Sequence, residues 1–163
     1  MNFNLKDTNC LDSIKFIRAK GEINELKINN AAEDALAGDF SDISIKKVSI
    51  ENAKDDCLNF KKGNYYINNL IIKNCKDRGI SSGLSANVKI NKLISDNNTI
   101  SVYAKDSSSV TLDNALIKNT KYCSVAYRTL NTYGGGKIIT NSKNFDCIEN
   151  KFFLSKDSKW ISK

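Results

Sequence analysis

Apolar residues recur along this chain at intervals of 22 residues, and this repeat restricts the possible folds more than any other feature. One aliphatic series keeps the interval throughout: Ile28, Ile50, Ile72, Ile94 and Leu116. A second series ends with one longer step: Ile14, Leu36, Leu58, Ile80, Val102 and Val125. A third slips once by a single residue: Ile23, Ile45, Ile67, Ile90 and Leu112. A fixed period of this length indicates a solenoid whose repeats stack on one another.

Within a repeat, apolar and polar residues alternate, as in Ile43-Ser44-Ile45. Alternation predicts short β-strands with one buried face, and the intervening Asn, Asp, Gly and Lys residues predict tight turns. Neither a leucine-rich frame nor a helical period of 3.6 residues is present. We therefore predict an all-β fold, a right-handed single-stranded parallel β-helix of about six coils with aliphatic ladders inside the tube. We expect one domain over residues 1–163, with a repeat core at about 9–146 and a C-terminal cap at about 147–163.

Two further columns accompany the aliphatic ones. Small residues form the first: Ser13, Ala35, Cys57, Gly79, Ser101 and Ser124. Asparagine forms the second, with an aspartate in fourth place: Asn30, Asn52, Asn74 and Asp96. Stacked asparagines can satisfy backbone groups at turns.

Five cysteines form no Cys-x-x-Cys pair, so neither a zinc ribbon nor a thioredoxin-like motif is indicated. Cys57 lies in the small column, and Cys75 follows Ala31 and Ala53 at the same spacing. We therefore expect Cys57 and Cys75 to be buried packing residues with free thiols.

The composition excludes several classes of site. The chain contains no His, which excludes His-based acid–base catalysis, Ser-His and Cys-His nucleophile pairs, and His-ligated metals. The formal net charge of +7 favours an acidic partner. Nearly all basic residues are Lys, so sequence-specific nucleic-acid binding, which prefers Arg, is disfavoured. No segment predicts a membrane span, and the first residues lack a secretory signal, so the chain either stays inside the cell or is part of something larger.

The units Glu33-Asp34-Ala35-Leu36, Asp55-Asp56-Cys57-Leu58 and Asp77-Arg78-Gly79-Ile80 are each followed by an Asn-rich turn. From about Asn9 to Asp146 this pattern resembles the pectate-lyase-like superfamily of right-handed parallel β-helices. The stretch from Val125 to Gly136 also resembles the final coils of β-helix modules in bacterial surface proteins. The superfamily includes polysaccharide lyases, hydrolases, epimerases, phage tailspikes, adhesins and non-catalytic scaffolds, so the fold does not select one function. The resemblance implies a cell-surface or extracellular location if the chain belongs to a larger protein.

Acidic residues form two adjacent columns at one turn. The first consists of Asp12, Asp34 and Asp56, with Arg78 next, and the second of Glu33, Asp55 and Asp77. Carboxylates on successive coils would lie about 4.8 Å apart, close enough to bind Ca²⁺ or to act as an acid–base pair. The candidate metal ligands are Asp34, Asp55, Asp56 and Asp77. The alternative is that these aspartates cap backbone N–H groups at a turn, which their recurrence in every early coil favours.

Catalytic candidates come from the resemblance, because polysaccharide lyases of the superfamily pair Ca²⁺-binding acids with an Arg or Lys base, and Lys or Tyr serves in related enzymes. The residues of these types on neighbouring coils are Tyr103, Lys105, Tyr127 and Arg128, with Asp106 beside them. No compact family motif surrounds them, and the tight turns leave little chain to build a cleft.

Binding candidates come from a loop and from lysines at the turns. Arg128–Gly136 is the only long departure from the repeat, and its Tyr133 and Arg128 could contact a sugar ring. The alternative is an excursion that closes the last coils. Lys54 and Lys76 stack on successive coils, with Lys121 near the same turn. This stripe could bind an anionic glycan, or it could simply solvate and protect the turns.

The sequence therefore favours a non-catalytic β-helix module that binds a carbohydrate, above all an anionic polysaccharide, or a partner protein, as part of a surface or assembly scaffold. The first alternative is a lyase or epimerase acting on acidic glycans with Ca²⁺. The second is a purely structural role, in which the open ends stack end to end into oligomers.

Overall fold

A computed structural model describes residues 1–162 of the 163-residue chain. Within these residues the fold is all-β and contains no helix. One sheet holds the eleven strands. They are β1 (Asn2–Thr8), β2 (Asp12–Ile17), β3 (Lys20–Ala31), β4 (Asp34–Ala53), β5 (Leu58–Cys75), β6 (Arg78–Asp96), β7 (Ile100–Lys105), β8 (Ser109–Tyr127), β9 (Lys137–Thr140), β10 (Asn144–Leu154) and β11 (Lys159–Ser162). No helix in this part of the chain could cross a membrane.

The strands stack in parallel as a β-solenoid, which confirms the predicted fold class. Ile23 of β3 lies beside Ile45 of β4, which lies beside Ile67 of β5, so successive coils are offset by 22 residues. The solenoid has about seven turns, against the six expected. Additional pairing is found at both ends, where β1 pairs with β3 and β10 and β11 pair with β8 and β9. The division into a repeat core and a cap stays a prediction.

A one-residue insertion in β6 changes which side chains face inward. Lys61 lies beside Gly83 but Gly63 lies beside Ala86, so the offset grows by one residue. Ile72 consequently lies beside Ser95, while Ile94 continues the outward series that begins with Ile71. Ile94 is 39% exposed and Leu116 43%, so the prediction that these two residues continue the inner ladder is wrong. Because side chains alternate between the two faces of a strand, inserting one residue moves every following side chain to the opposite face.

The last coils depart from the predicted columns in a similar way. Val125 lies beside Tyr103, and Ser124 takes the inward place beside Val102. The prediction for Val125 is therefore wrong. Large aliphatic side chains still fill most of the tube, and the fully buried ones include Leu26, Leu36, Leu58, Ile67 and Ile90. Phe60 and Tyr65 stack inside it with their ring centroids 4.0 Å apart.

An asparagine ladder runs along one turn of the solenoid. The Nδ2 atom of Asn52 donates to Oδ1 of Asn30, and Asn74 donates to Asn52, each at 2.9 Å. Asn97 continues the ladder by donating to Asn74 at 2.8 Å, so the prediction that Asp96 continues it is wrong for the same one-residue shift. Each ladder residue has a positive φ, between 53° and 63°. Asparagine tolerates this left-handed conformation better than most residues, which explains why it recurs here.

The small column that contains Cys57 faces a second column, formed by Ala31, Ala53 and Cys75, inside the tube. Some residues of the two columns are joined by disulfides. Disulfides join Cys57 to Cys75, with their Cα atoms 5.5 Å apart, and Cys123 to Cys147. The expectation of free thiols at Cys57 and Cys75 is therefore wrong. Spacing along the chain showed two columns but not that they meet. Cys10 is free and exposed.

Other coils place different pairs at the same two positions. Ala35 and Ala53 precede the Cys57–Cys75 pair in the stack. Ser101 and Thr120 follow it two coils later, with their hydroxyl oxygens 3.2 Å apart. The two columns are thus one repeated contact that alanine, hydroxyl or cystine pairs can fill.

Aromatic residues fill the C-terminal end of the tube. Phe152 packs against Trp160 with ring centroids 4.2 Å apart and meets Phe145 edge-on at 6.0 Å. Phe153 and Leu154 remain 48% and 44% exposed. Phe152 and Trp160 are partly buried against the core and therefore shield the interior of the last coils.

Candidate functional site

Lys54 and Lys76 lie on successive coils at the turn that follows the asparagine ladder. The backbone N–H of Lys54 donates to the carbonyl of Ala31 at 3.1 Å, and that of Lys76 donates to Ala53 at 3.0 Å. Lys121 has the same relation to Asn98, at 3.2 Å. The structure therefore brings Lys54, Lys76 and Lys121 into one column, with Thr99 between the last two.

A surface groove separates the lysine column from the asparagine ladder. It consists of two adjoining depressions of about 380 and 500 Å³, which share Asn74 and Lys76. Buried small residues, including Ala31, Ala53 and Cys75, form its floor. We call it the lysine–asparagine groove; its walls are formed by Asn30, Asn52, Asn74, Asn97 and Asn119 on one side and Lys54, Lys76 and Lys121 on the other. Because it crosses the coils, it runs along the axis of the solenoid.

Both walls carry unused hydrogen-bond donors. Each side-chain amide has two N–H groups, and Asn74 and Asn97 each use one of them in the ladder, whereas Asn52 donates both to Asn30 and, at 3.3 Å, to Asn29. Neither Lys54 nor Lys76 belongs to any ion pair found among residues 1–162. Lys121 is paired with Glu149 at 3.2 Å, and the hydrogen bond to Glu149 raises its pKa. The groove therefore offers amide donors and two unpaired cations at intervals of about 4.8 Å.

Three of the four candidate metal ligands cluster at another turn. One carboxylate oxygen from each of Asp34, Asp55 and Asp56 lies within 4.8 Å of the others. Both oxygens of Asp34 accept hydrogen bonds, from the backbone N–H of Asp56 at 3.0 Å and from Asn59 at 2.7 Å. Asp77 instead pairs with Arg78 at 3.0 Å.

Arg78 closes this cluster. Asp56 accepts the backbone N–H of Arg78 at 3.0 Å, and its second oxygen lies 3.4 Å from the guanidinium. Burial raises the pKa of Asp56 to about 7, although Arg78 opposes the shift, and burial also raises the pKa of Asp55. Carboxylate oxygens suit Ca²⁺, but Ca²⁺ takes six to eight oxygens, and most oxygens here already accept N–H donors. The arrangement fits turn capping better than a calcium site.

Two of the catalytic candidates lie near Arg78. The Arg78 guanidinium lies 4.7 Å from the centre of the Tyr103 ring, and Lys105 Nζ lies 5.7 Å from it. Burial, and next the charge of Arg78, lower the pKa of Lys105. Burial raises the pKa of Tyr103. The sequence identified Tyr103 and Lys105 but did not place Arg78 beside them, because their contact crosses coils.

The other candidates of that group have structural partners. Tyr127 pairs with Lys105 in the sheet and stacks on Phe153, with ring centroids 6.4 Å apart. Arg128 forms an ion pair with Asp157 at 3.0 Å. Asp106 is buried, which would raise its pKa, but hydrogen bonds led by that of the Thr129 side chain lower it. It accepts the backbone N–H groups of Thr129 and Leu130 and so holds the loop at its start.

The loop at 128–136 is bound to the body of the solenoid. Gly134 donates to the Ser107 hydroxyl at 2.7 Å and accepts the Ser107 backbone N–H at 2.9 Å. A Cβ atom at Gly136 would overlap the backbone carbonyl of Ala104, so only glycine fits there. Tyr133 is half-buried. These contacts support the interpretation that the loop closes the last coils, and they leave Arg128 less available for a ligand.

No protein family, curated protein or solved structure gives a significant match to this chain.

Proposed function

We propose that this chain is a non-catalytic binding module that holds a linear anionic polysaccharide along the lysine–asparagine groove. The observation that carries the proposal is the position of Lys54 and Lys76, two cations that have no carboxylate partner within residues 1–162. They lie opposite a row of amide donors in a groove that crosses several coils. A polymer with regularly spaced anionic groups can repeat the same contacts on successive coils. The absence of aromatic side chains among the lining residues favours a ligand held by charge and hydrogen bonds.

Two further features support this reading. The parallel β-helix architecture is shared with pectate-lyase-like proteins, many of which act on polysaccharides. The two disulfides suit an oxidising compartment, such as a cell surface or the extracellular space, where such polymers occur. We infer that the module belongs to a surface or assembly scaffold.

The test is native affinity electrophoresis through gels cast with polygalacturonate, alginate, hyaluronate or neutral dextran, with and without Ca²⁺. We expect retardation in at least one anionic gel and none in dextran. Lys54→Gln/Lys76→Gln should weaken binding by about 1–2 kcal/mol, or roughly 5- to 30-fold, because an exposed charge contact contributes up to about 1 kcal/mol. Added salt should weaken wild-type binding because it screens exposed charges.

Lys47→Gln/Lys92→Gln is the matched control, because it removes the same charge from exposed residues outside the groove. If both double variants lose retardation equally, net charge rather than the groove explains binding. If wild-type mobility is unchanged in every gel, the polysaccharide proposal fails and a partner protein becomes the better candidate.

A second candidate function is β-elimination on an acidic glycan, which the proximity of Arg78, Tyr103 and Lys105 favours. The lowered pKa of Lys105 suits a general base. Cleared zones in the stained gels, together with ultraviolet absorbance of an unsaturated product that Lys105→Gln abolishes, would support it. Intact polymer after prolonged incubation, with and without Ca²⁺, would exclude it for the polymers tested.

A further inference from the structure

Tyr66 lies on the outer surface of β5, away from the lysine–asparagine groove, and is 39% exposed. In the sheet it lies between Ser44 of β4 and Lys89 of β6. Shallow clefts of about 200 and 250 Å³ adjoin it, and both are lined by Tyr66 and Ser44. Because Ser44 is small, the tyrosine side chain has no large neighbour on that coil, and the two clefts meet around it.

Side-chain amides border both clefts. Asn68 lines the first cleft; its Oδ1 accepts a hydrogen bond from Asn91 at 2.8 Å, while its Nδ2 donates to no partner within residues 1–162. Asn64 and Asn87 line the second cleft. Asn64 donates to Asp42 at 2.8 Å and Asn87 donates to Asn64 at 3.4 Å, which leaves each amide one further N–H group. Amide donors therefore lie on both sides of an exposed aromatic ring.

The charges around Tyr66 are balanced, in contrast to the groove. Lys46 and Glu22 line the first cleft, and Lys89 and Asp42 line the second. Balanced charge gives no preference for an anion. A pyranose ring without charge has C–H groups that can pack on an aromatic face and hydroxyls that can accept from amides.

We propose that Tyr66 and the amides of Asn64, Asn68 and Asn87 form a second binding face, which takes an uncharged sugar ring of an oligosaccharide. The ring packs on Tyr66, and its hydroxyl oxygens accept the remaining amide N–H groups. This face is independent of the lysine–asparagine groove, so it would bind a neutral glycan whether or not the groove binds an anionic one.

The test is an NMR titration of ¹⁵N-labelled protein with neutral hexasaccharides of glucose, mannose and galactose. At least one should shift the backbone amides of Ser44, Tyr66 and Asn68, and fitting the shifts gives its affinity. Tyr66→Ala should weaken that affinity about two- to tenfold, because it removes the aromatic contact. Tyr66→Phe should stay within about twofold of wild type, since it keeps the ring.

Phe40→Ala is the control, because Phe40 is another exposed aromatic residue but lines neither cleft. It should bind like the wild type, and folding of each variant is checked from its spectrum without sugar. No shifts with any hexasaccharide, or binding that Tyr66→Ala leaves unchanged, would overturn the inference. Shifts confined to the Lys54–Lys76 region would also overturn it while leaving the proposal for the groove intact.

Discussion

Replacing both Cys57 and Cys75 by alanine removes the disulfide but puts a pair of residues at these positions that the fold can accommodate. Both cysteines are buried, and the preceding coil has Ala35 and Ala53 at the equivalent positions, so an alanine pair suits this backbone. The disulfide closes a loop of 18 residues. The chain-entropy relation for such a loop predicts that the double variant loses about 3 kcal/mol of unfolding free energy.

Urea denaturation with and without a reducing agent measures this effect. Wild type should become less stable on reduction, and Cys57→Ala/Cys75→Ala should show a smaller change because only Cys123–Cys147 remains to be reduced. Repeat proteins can unfold in parts, so hydrogen exchange at the amides of residues 57–75 should be measured as well. Cys10→Ser is the control and should have no effect, because Cys10 is exposed and unpaired.

The reverse replacement, of an alanine pair by a cysteine pair, tests whether the two small columns are in contact on another coil. Ala35→Cys/Ala53→Cys should form a third disulfide and raise the unfolding free energy by up to about 3 kcal/mol. If the alanine pair at 57 and 75 were as stable as the oxidised wild type, and the new cysteines stayed free, the two small columns would not form the repeated contact described above. That combination of results would refute the reasoning.

Two further predictions concern the turns. Asn52→Ala should lower the unfolding free energy by about 1–2 kcal/mol, because alanine tolerates the positive φ poorly and cannot join the ladder; Asn52→Gly should recover the backbone part, as measured by urea denaturation. Folding raises the pKa of Asp56 from 3.8 to about 7, so the folded state binds this proton more tightly than the unfolded state does. As the pH rises from about 4 to about 7, stability on the order of 4 kcal/mol should therefore be lost. Unfolding midpoints across that range should therefore depend less on pH in Asp56→Asn than in wild type, and equal profiles would contradict the assignment.

Much of the fold could be predicted because residues of the same type recur at the interval that separates successive coils. The interval between Ile23, Ile45 and Ile67 matches the offset between coils, so the ladder follows from counting. Counting failed at Ile94 and Leu116, because a bulge adds a residue without changing the apolar character of the strand. Both faces of β6 contain isoleucines, so composition does not distinguish inward from outward positions after the insertion.

Part of the candidate site could also be predicted, because some of its residues recur at the same interval. The column of Lys54 and Lys76 was visible from its spacing, and so was the start of the asparagine ladder. The groove between them was not, because it depends on the small residues of the floor and on the direction of the turn. The ion pair of Arg128 with Asp157 was also hidden, since these residues are far apart in sequence.

The period, the strand alternation and most members of the stacked columns follow from counting along the chain, because they depend on neighbouring residues and on a repeated interval. Contacts across a coil became visible only in the folded chain: the pairing of Cys57 with Cys75, the position of Arg78 over Tyr103, and the exposed setting of Tyr66. This difference arises because a fixed interval specifies only which residues stack on successive coils. The bends within one coil decide which columns meet, and those bends depend on the packing of the whole turn.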